Sequence, residues 1–283
     1  MKRILALIMS VAMLLCSLAS CSGTSSGKSD LDNVKTAGKI VVGMECAYAP
    51  YNWTTSTPSS NTVPISNSPG SYADGYDVQI AKRIADDLGV ALEIKAIEWD
   101  GLIPALESGE IDMIIAGMSP TDERKLSIDF SNTYFDSNLV MVVNKNSSYV
   151  GATSIQDFSG ATITGQLNTF HYTVIDQING VNKYQPLQDF AALMQELDSG
   201  KIDGYVCEKP GAISAVAANE NFAYVEFGEG NGFTCDPAES SISVGVRLGS
   251  TLLESINATI AKISTEEKNA CMDAAIERQP AAE

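Results

Sequence analysis

The chain has a single histidine, His171, in 283 residues. Cys46, Cys207, Cys235 and Cys271 stand at spacings that fit neither a zinc ribbon nor a C-x-x-C redox pair. No G-x-S-x-G nucleophile elbow and no His/Cys/Asp metal cluster occurs. Hydrolytic and metal-assisted chemistry therefore have little to work with, and no cofactor is expected. A carboxylate such as Glu45 or Glu208 is what remains for acid/base work. Basic residues are scarce as well. Eighteen Lys and Arg face 35 Asp and Glu, for a formal charge of −17, and no Lys/Arg-rich run interrupts the acidity. A phosphate-binding surface for nucleic acid is excluded on that ground. Beyond the first twenty residues no apolar run is long enough to span a bilayer.

What is present begins with a leader. Lys2 and Arg3 precede the apolar run Ile4–Leu15, which is too short for an ordinary transmembrane helix. Leu18-Ala19-Ser20-Cys21 then resembles a bacterial lipobox; Cys16 is a poorer candidate because bulky Leu15 precedes it. Residues 1–20 are expected to be a lipoprotein signal peptide, with a lipid (palmitate among its acyl chains) on Cys21. Two or more acyl chains would anchor the protein durably on the extracytoplasmic face of the cell membrane. Cleavage removes two positive charges and takes the net charge from −17 to −19. Residues 21–37, in which Ser22–Lys28 reads S-G-T-S-S-G-K, are expected to be a lipid-anchored tether. Export permits disulfides among the remaining cysteines without requiring them.

A phrase occurs twice. Leu106–Met113 reads L-E-S-G-E-I-D-M and Leu197–Gly204 reads L-D-S-G-K-I-D-G. Each copy ends a helical segment, turns at Ser-Gly and enters a strand, which predicts two lobes on one plan. Lys39–Met44, Ala91–Ile97 and Ile111–Ala116 read as strands, with helices from Asp77 and over Gly101–Glu107 between them. That alternation implies an α/β lobe. Asn52–Gly75, rich in Ser, Thr, Asn, Pro and Gly, reads as an irregular loop. The expected division is lobe 1 over 38–143 and 231–283, and lobe 2 over 144–230.

Ligands of open α/β sheets bind beyond the carboxyl ends of strands. After the first copy, Ser119, Pro120 and Thr121 suit a helix start, and Arg124 adds a bidentate partner for a carboxylate. Asn168 and Thr169 offer a comparable start in the second half. After the second copy stands Glu208, whose charge at the end of a buried strand needs a partner such as an ammonium. Glu45, Tyr48 and Tyr51 follow the first strand, and Trp53 and Trp99 add aromatic surface. Donors for a carboxylate, an acceptor for an ammonium and aromatic walls are the inverse of a free α-amino acid. His171 is expected on the surface or lining the cleft.

The stretches V-V-G-M-E-C-A-Y-A-P-Y, G-Y-D-V-Q-I-A-K-R-I-A, E-W-D-G-L-I-P-A-L-E-S-G-E-I-D-M-I-I-A-G-M-S-P-T-D-E-R and S-I-D-F-S-N-T-Y carry a resemblance. Over roughly residues 38–263 the chain resembles the polar and basic amino-acid-binding proteins that serve ABC importers, in lipoprotein form. The resemblance implies a two-lobed, type II periplasmic-binding-protein-like fold, each lobe a central sheet flanked by helices, joined by a two-strand hinge. It implies a monomer that closes on one free L-amino acid, of polar or cationic side chain, and delivers it to a membrane permease. Ser119, Arg124 and Thr169 would hold the carboxylate, and Glu208 and the Gly117 carbonyl the ammonium. Tyr48, Tyr51 and Trp99 would flank the side chain, with Glu45 near its tip. Glu208 replaces the commoner Asp, and Asn168 a usual Gly. An exported dehydratase-like enzyme on the same architecture, and a receptor for a signalling protein, are the alternatives.

Overall fold

A computed structural model describes residues 29–236 and 240–279. The expected signal peptide, residues 1–20, and the lipid site Cys21 lie outside the described residues. Ser29 caps α1 (Asp30–Ala37), its hydroxyl accepting from Asp32 N–H, and Gly38 ends the helix at φ 66°. The tether expected over 21–37 thus contains a helix, because Ser29 is a good cap and Val34 finds a buried place.

β1 (Lys39–Met44) leads to β2 (Ala47–Tyr48), β3 (Asn52–Thr55), β4 (Val63–Pro64) and β5 (Tyr72–Asp74). The last four form a small antiparallel sheet in the order β2-β3-β5-β4. The irregular loop expected over 52–75 is therefore partly sheet. Trp53, Ile65 and Ala73 bury against the lobe and fix its register, which turn-rich composition did not announce. α2 (Tyr76–Leu88) follows Gly75, where a Cβ would come within 2.2 Å of the Tyr51 carbonyl oxygen. Its apolar stripe Val78, Ala81, Ile84, Ala85 and Leu88 is buried as the helical spacing predicts. β6 (Ala91–Ala96), a tight turn at Trp99–Gly101, α3 (Leu102–Glu107), β7 (Met113–Ile114) and β8 (Ile128–Asp136) complete the first pass.

The chain then crosses. β9 (Leu139–Asn144) pairs antiparallel with two strands of the other lobe, so lobe 2 begins near residue 138 rather than after 143. The five apolar residues of β9 are buried, as a central strand requires. Lobe 2 continues with β10 (Thr162–Thr164), α4 (Phe170–Thr173), β11 (Asn182–Lys183), α5 (Phe190–Asp198), β12 (Gly204–Glu208), α6 (Lys209–Ala218) and β13 (Phe222–Val225). The return falls between Val225 and Ser241, where β14 (Ser241–Arg247) joins the first sheet, followed by α7 (Leu252–Ile260) and α8 (Thr265–Arg278). The two large sheets run β6-β1-β7-β14-β8 and β11-β10-β12-β9-β13. This is the two-lobed α/β, type II periplasmic-binding-protein-like fold. α7 and α8 pack on α2 of lobe 1. Gln279, just past α8, reaches α6 by donating to the Ser214 carbonyl at 3.2 Å.

The repeated phrase does the same work in both lobes. Gly109 and Gly200 turn at φ 77° and 72°. Asp112 then accepts from Val41 N–H at 2.9 Å, and Asp203 from Thr162 N–H at 2.7 Å. Their own N–H groups donate to the carbonyls of the same two residues, both at 2.8 Å. Each aspartate thereby sews the incoming strand to its parallel neighbour, which places the ends of β7 and β12 equivalently at the cleft.

Candidate functional site

Seven of the nine expected site residues line one cavity between the lobes: Tyr48, Trp99, Gly117, Ser119, Arg124, Thr169 and Glu208. Gln166, Phe170 and His171 complete its wall. Its volume is about 10 Å³, room for roughly one water. A wider cleft of about 770 Å³, lined in part by Trp99, Asp100, Arg124, Asn168 and Tyr172, lies beside it and shares part of its wall.

The cavity is small because groups of the two lobes bond directly to each other. Tyr48 of lobe 1 donates its hydroxyl to Glu208 of lobe 2. The Tyr48 ring stacks on Phe190 with centroids 4.0 Å apart and planes 11° apart. Gln166 donates to both oxygens of Glu45 at 3.1 and 3.3 Å. The Asn168 carbonyl accepts from Arg124 Nη2 at 3.1 Å and from Trp99 Nε1 at 3.4 Å, while its amide donates to Asp100 at 2.9 Å. Asn168 adopts φ 55°, the left-handed region in which Asn is the best tolerated side chain after Gly.

Several expectations need correction. Ser119 and Thr121 do not open an α-helix, because only a single tight turn, Arg124–Leu126, follows them. Thr121 Oγ1 caps that turn by accepting from Arg124 N–H at 3.3 Å. The segment stays irregular where Gly117, at φ 62°, passes the Tyr48 ring; a Cβ there would stand 3.1 Å from it. Thr169 does not cap α4 with its side chain, since its hydroxyl donates to the Gln166 carbonyl at 2.8 Å. Tyr51 is not part of the wall. It is wholly buried behind Tyr48, ring centroids 4.8 Å apart, and holds that ring in place. Glu45 is not in the wall itself but is linked to it by Gln166.

Arg124 donates Nη1 to the Ser119 carbonyl at 2.8 Å and lies 5.0 Å over the Trp99 ring. Asp122 pairs with Lys125, and Asp129 accepts from Gly249 N–H. Glu208 is 1% exposed. Burial works to raise its pKa, but the His171 charge and the donors around it prevail and hold it below the ordinary carboxylate value. His171, expected on the surface or lining the cleft, is buried in the cavity wall with Nε2 2.9 Å from Glu208 Oε1. Neither ring nitrogen, Nε2 or Nδ1, has a hydrogen-bond partner of good geometry. Burial, joined by Asp189, Asp100 and Glu98, pushes Glu45 up to about 7 against the pull of Gln166. Behind the wall, Asp77 accepts from Tyr134 Oη at 2.7 Å, from Asn52 Nδ2 at 2.8 Å and from Gly117 N–H, and burial pushes it up to about 6.

Sequence reasoning missed Gln166, Phe170 and Phe190, and gave His171 no role. Their signal was faint. Gln166, Phe170 and His171 flank the Asn168–Thr169 segment and Phe190 opens α5; Gln166 and Phe190 meet their lobe 1 partners only across the cleft. Among the described residues, no group of three or more His, Cys, Asp or Glu could hold a metal ion. Cys46 and Cys207 are buried thiols, and burial raises both, Cys46 to about 12.

A two-lobed fold whose sheet ends meet around a charged cavity is the architecture of a solute receptor, and the chain belongs to the bacterial extracellular solute-binding proteins, family 3, which it matches over residues 40–273. It is 30% identical to a probable histidine-binding protein of Campylobacter jejuni, over 77% of this chain and 79% of that protein. It is 28% identical to the arginine-binding extracellular protein ArtP of Bacillus subtilis, over 67% of this chain and 65% of ArtP. Its fold is similar to that of an amino acid ABC transporter substrate-binding protein from Streptococcus pneumoniae bound to L-arginine. That likeness has a TM-score of 0.76 at 27% identity, covering 88% of this chain and 98% of the other. These relatives are solute-binding proteins, not enzymes.

Proposed function

We propose that the protein captures a free L-amino acid between its two lobes and delivers it to an ABC permease. In this reading the lipid on Cys21 holds it, as a monomer, on the extracytoplasmic face of the membrane. The observation that carries the proposal is the meeting of Arg124 and Ser119 from lobe 1 with Thr169 and Glu208 from lobe 2 around one cavity. Arg124, Ser119 and Thr169 hold the carboxylate. Glu208 and the Gly117 carbonyl hold the ammonium. Tyr48 and Trp99 flank the side chain, and Tyr51 supports Tyr48 from behind. The ligand bridges donors and acceptors of both lobes, so it favours the closed state by its differential affinity. Entry requires the lobes to part at the cleft by pivoting about the two crossings, near 137–138 and between Val225 and Ser241.

Glu45, with Asp100, Asp189 and Glu98 around it, favours a cationic side chain, and the arginine- and histidine-binding names of the relatives point the same way. Delivery to an importer is favoured over signalling by the ABC transporter named for the structural relative. A thermal-shift screen of the twenty amino acids with ornithine and cystine tests the reading. One of them should raise the melting temperature through binding linkage. Failure of every one would overturn it.

A further inference from the structure

His171 is the chain's only imidazole and is 4% exposed. It comes from α4, directly after Thr169, and lines the cavity with Glu208. Glu208 Oε2 accepts from Tyr48, and Oε1 faces His171 Nε2 at 2.9 Å. On the amino-acid reading above, which this inference extends, Glu208 is also the partner of the ligand's α-ammonium. The carboxylate therefore has two candidate cations, the imidazolium and the ligand ammonium. Two positive charges beside a single buried carboxylate repel each other strongly, because solvent screening is weak there.

We propose that His171 is the resident counter-charge of Glu208 and that amino-acid capture displaces its proton to solvent, the ligand ammonium taking its place beside Oε1. The protonated ring holds Glu208 against the ligand, and the neutral ring leaves Glu208 to the ammonium. Both ring nitrogens are buried without an aligned hydrogen bond, so only the closeness of Nε2 to Oε1 ties the ring to Glu208. The surroundings agree with a ring that must be neutral when the site is full. Phe170 and Phe190 rings stand 4.5 and 6.2 Å from it and offer no charge. Tyr48 faces Glu208 from β2, and Arg124 lines the same cavity from lobe 1 and adds positive charge. Glu45 stands beyond Gln166, and Asp77 lies behind Gly117. One proton leaves per ligand bound wherever the free protein holds the ring protonated, and none where the ring is already neutral. Affinity then rises with pH by up to about tenfold per unit across the ring's titration and levels above it.

A lone histidine makes the test direct. The full chain, purified without a histidine tag and labelled with ¹⁵N-histidine, gives one imidazole whose nitrogen shifts report its protonation. The shifts are followed against pH in the wild type and in Glu208→Gln, each with and without L-arginine, alongside calorimetry in buffers of different ionisation heat. We expect Glu208→Gln to make the ring lose its proton at lower pH, and saturating L-arginine to leave the wild-type ring neutral with a proton released to buffer. His171→Gln should flatten the pH dependence of L-arginine binding by one proton, whereas a merely structural role would shift affinity equally at every pH. An identical ring titration in Glu208→Gln overturns the inference, and so does a ring still protonated with L-arginine bound. Should L-arginine give no binding heat at all, the cationic-ligand reading falls, while the Glu208→Gln titration still judges the pair.

Discussion

The acidic end of the cleft gives a prediction whose size can be worked out. Glu45 stands just past β1, partly buried, where Gln166 of the other lobe donates to both its oxygens. Burial and the charges of Asp189, Asp100 and Glu98 bring it to about 7 from the ordinary 4.5. A ligand guanidinium or ammonium at that spot favours the ionised carboxylate. If the complex returns Glu45 to its ordinary value, the gap between about 7 and 4.5 corresponds to about 3 kcal/mol of binding. The sign follows from the order of the two values. Above about 7 the carboxylate is ionised before binding, and the full interaction is available. As pH falls from 7 toward 4.5, binding must expel a proton, and affinity for L-arginine drops by up to about tenfold per unit. Calorimetric titration of L-arginine from pH 5 to pH 8.5, in the wild type and in Glu45→Gln, separates this proton from the one assigned to His171. Glu45→Gln should weaken binding at pH 8 and remove one proton from the slope. A variant that binds L-arginine as tightly as the wild type, with the same slope, would refute the placement of a cationic side chain at Glu45.

Arg124→Ala should weaken amino-acid binding by about 2–5 kcal/mol, the usual consequence of leaving a buried carboxylate without its cation. An unchanged Kd by calorimetry would remove Arg124 from the site. Asp77 gives a stability test. Its folded value, about 6, lies above the ordinary 3.8, so the native state holds the proton more tightly than the unfolded chain. Ionised Asp77 therefore opposes folding at neutral pH, and that opposition fades as pH falls from about 6 toward 4. Denaturant unfolding should show the wild type gaining on Asp77→Asn by on the order of 3 kcal/mol between pH 7.5 and pH 4. Parallel pH profiles would contradict it.

The fold was legible because two independent periodicities agreed. The α2 stripe and the alternating strands defined a lobe, and the L-x-S-G-x-I-D phrase doubled it. Its aspartates turn out to be the reason for its recurrence, since Asp112 and Asp203 make the same pair of bonds to Val41 and Thr162. The crossing into lobe 2 was placed too late because β9 is uniformly apolar, and such a strand suits the middle of either sheet. The four-stranded sheet within 47–74 was hidden by short strands of turn-forming composition. At the site, residues that follow a strand end were visible, as Arg124 and Glu208 illustrate. The partners that reach across the cleft were not. Phe190 under Tyr48 and Gln166 on Glu45 depend on how two lobes close, and no local pattern encodes that distance. Tyr51 shows the converse limit, since adjacency to Tyr48 in sequence did not tell which ring faces the cavity.

The position of the bound amino acid is the central question. The measurement that decides it is a crystal structure of the protein with whichever amino acid raises its melting temperature most. The predicted result is a ligand between the lobes, its carboxylate against Arg124, Ser119 and Thr169 and its ammonium beside Glu208. A ligand bound elsewhere, or one in the cleft whose carboxylate does not meet Arg124, would contradict the account.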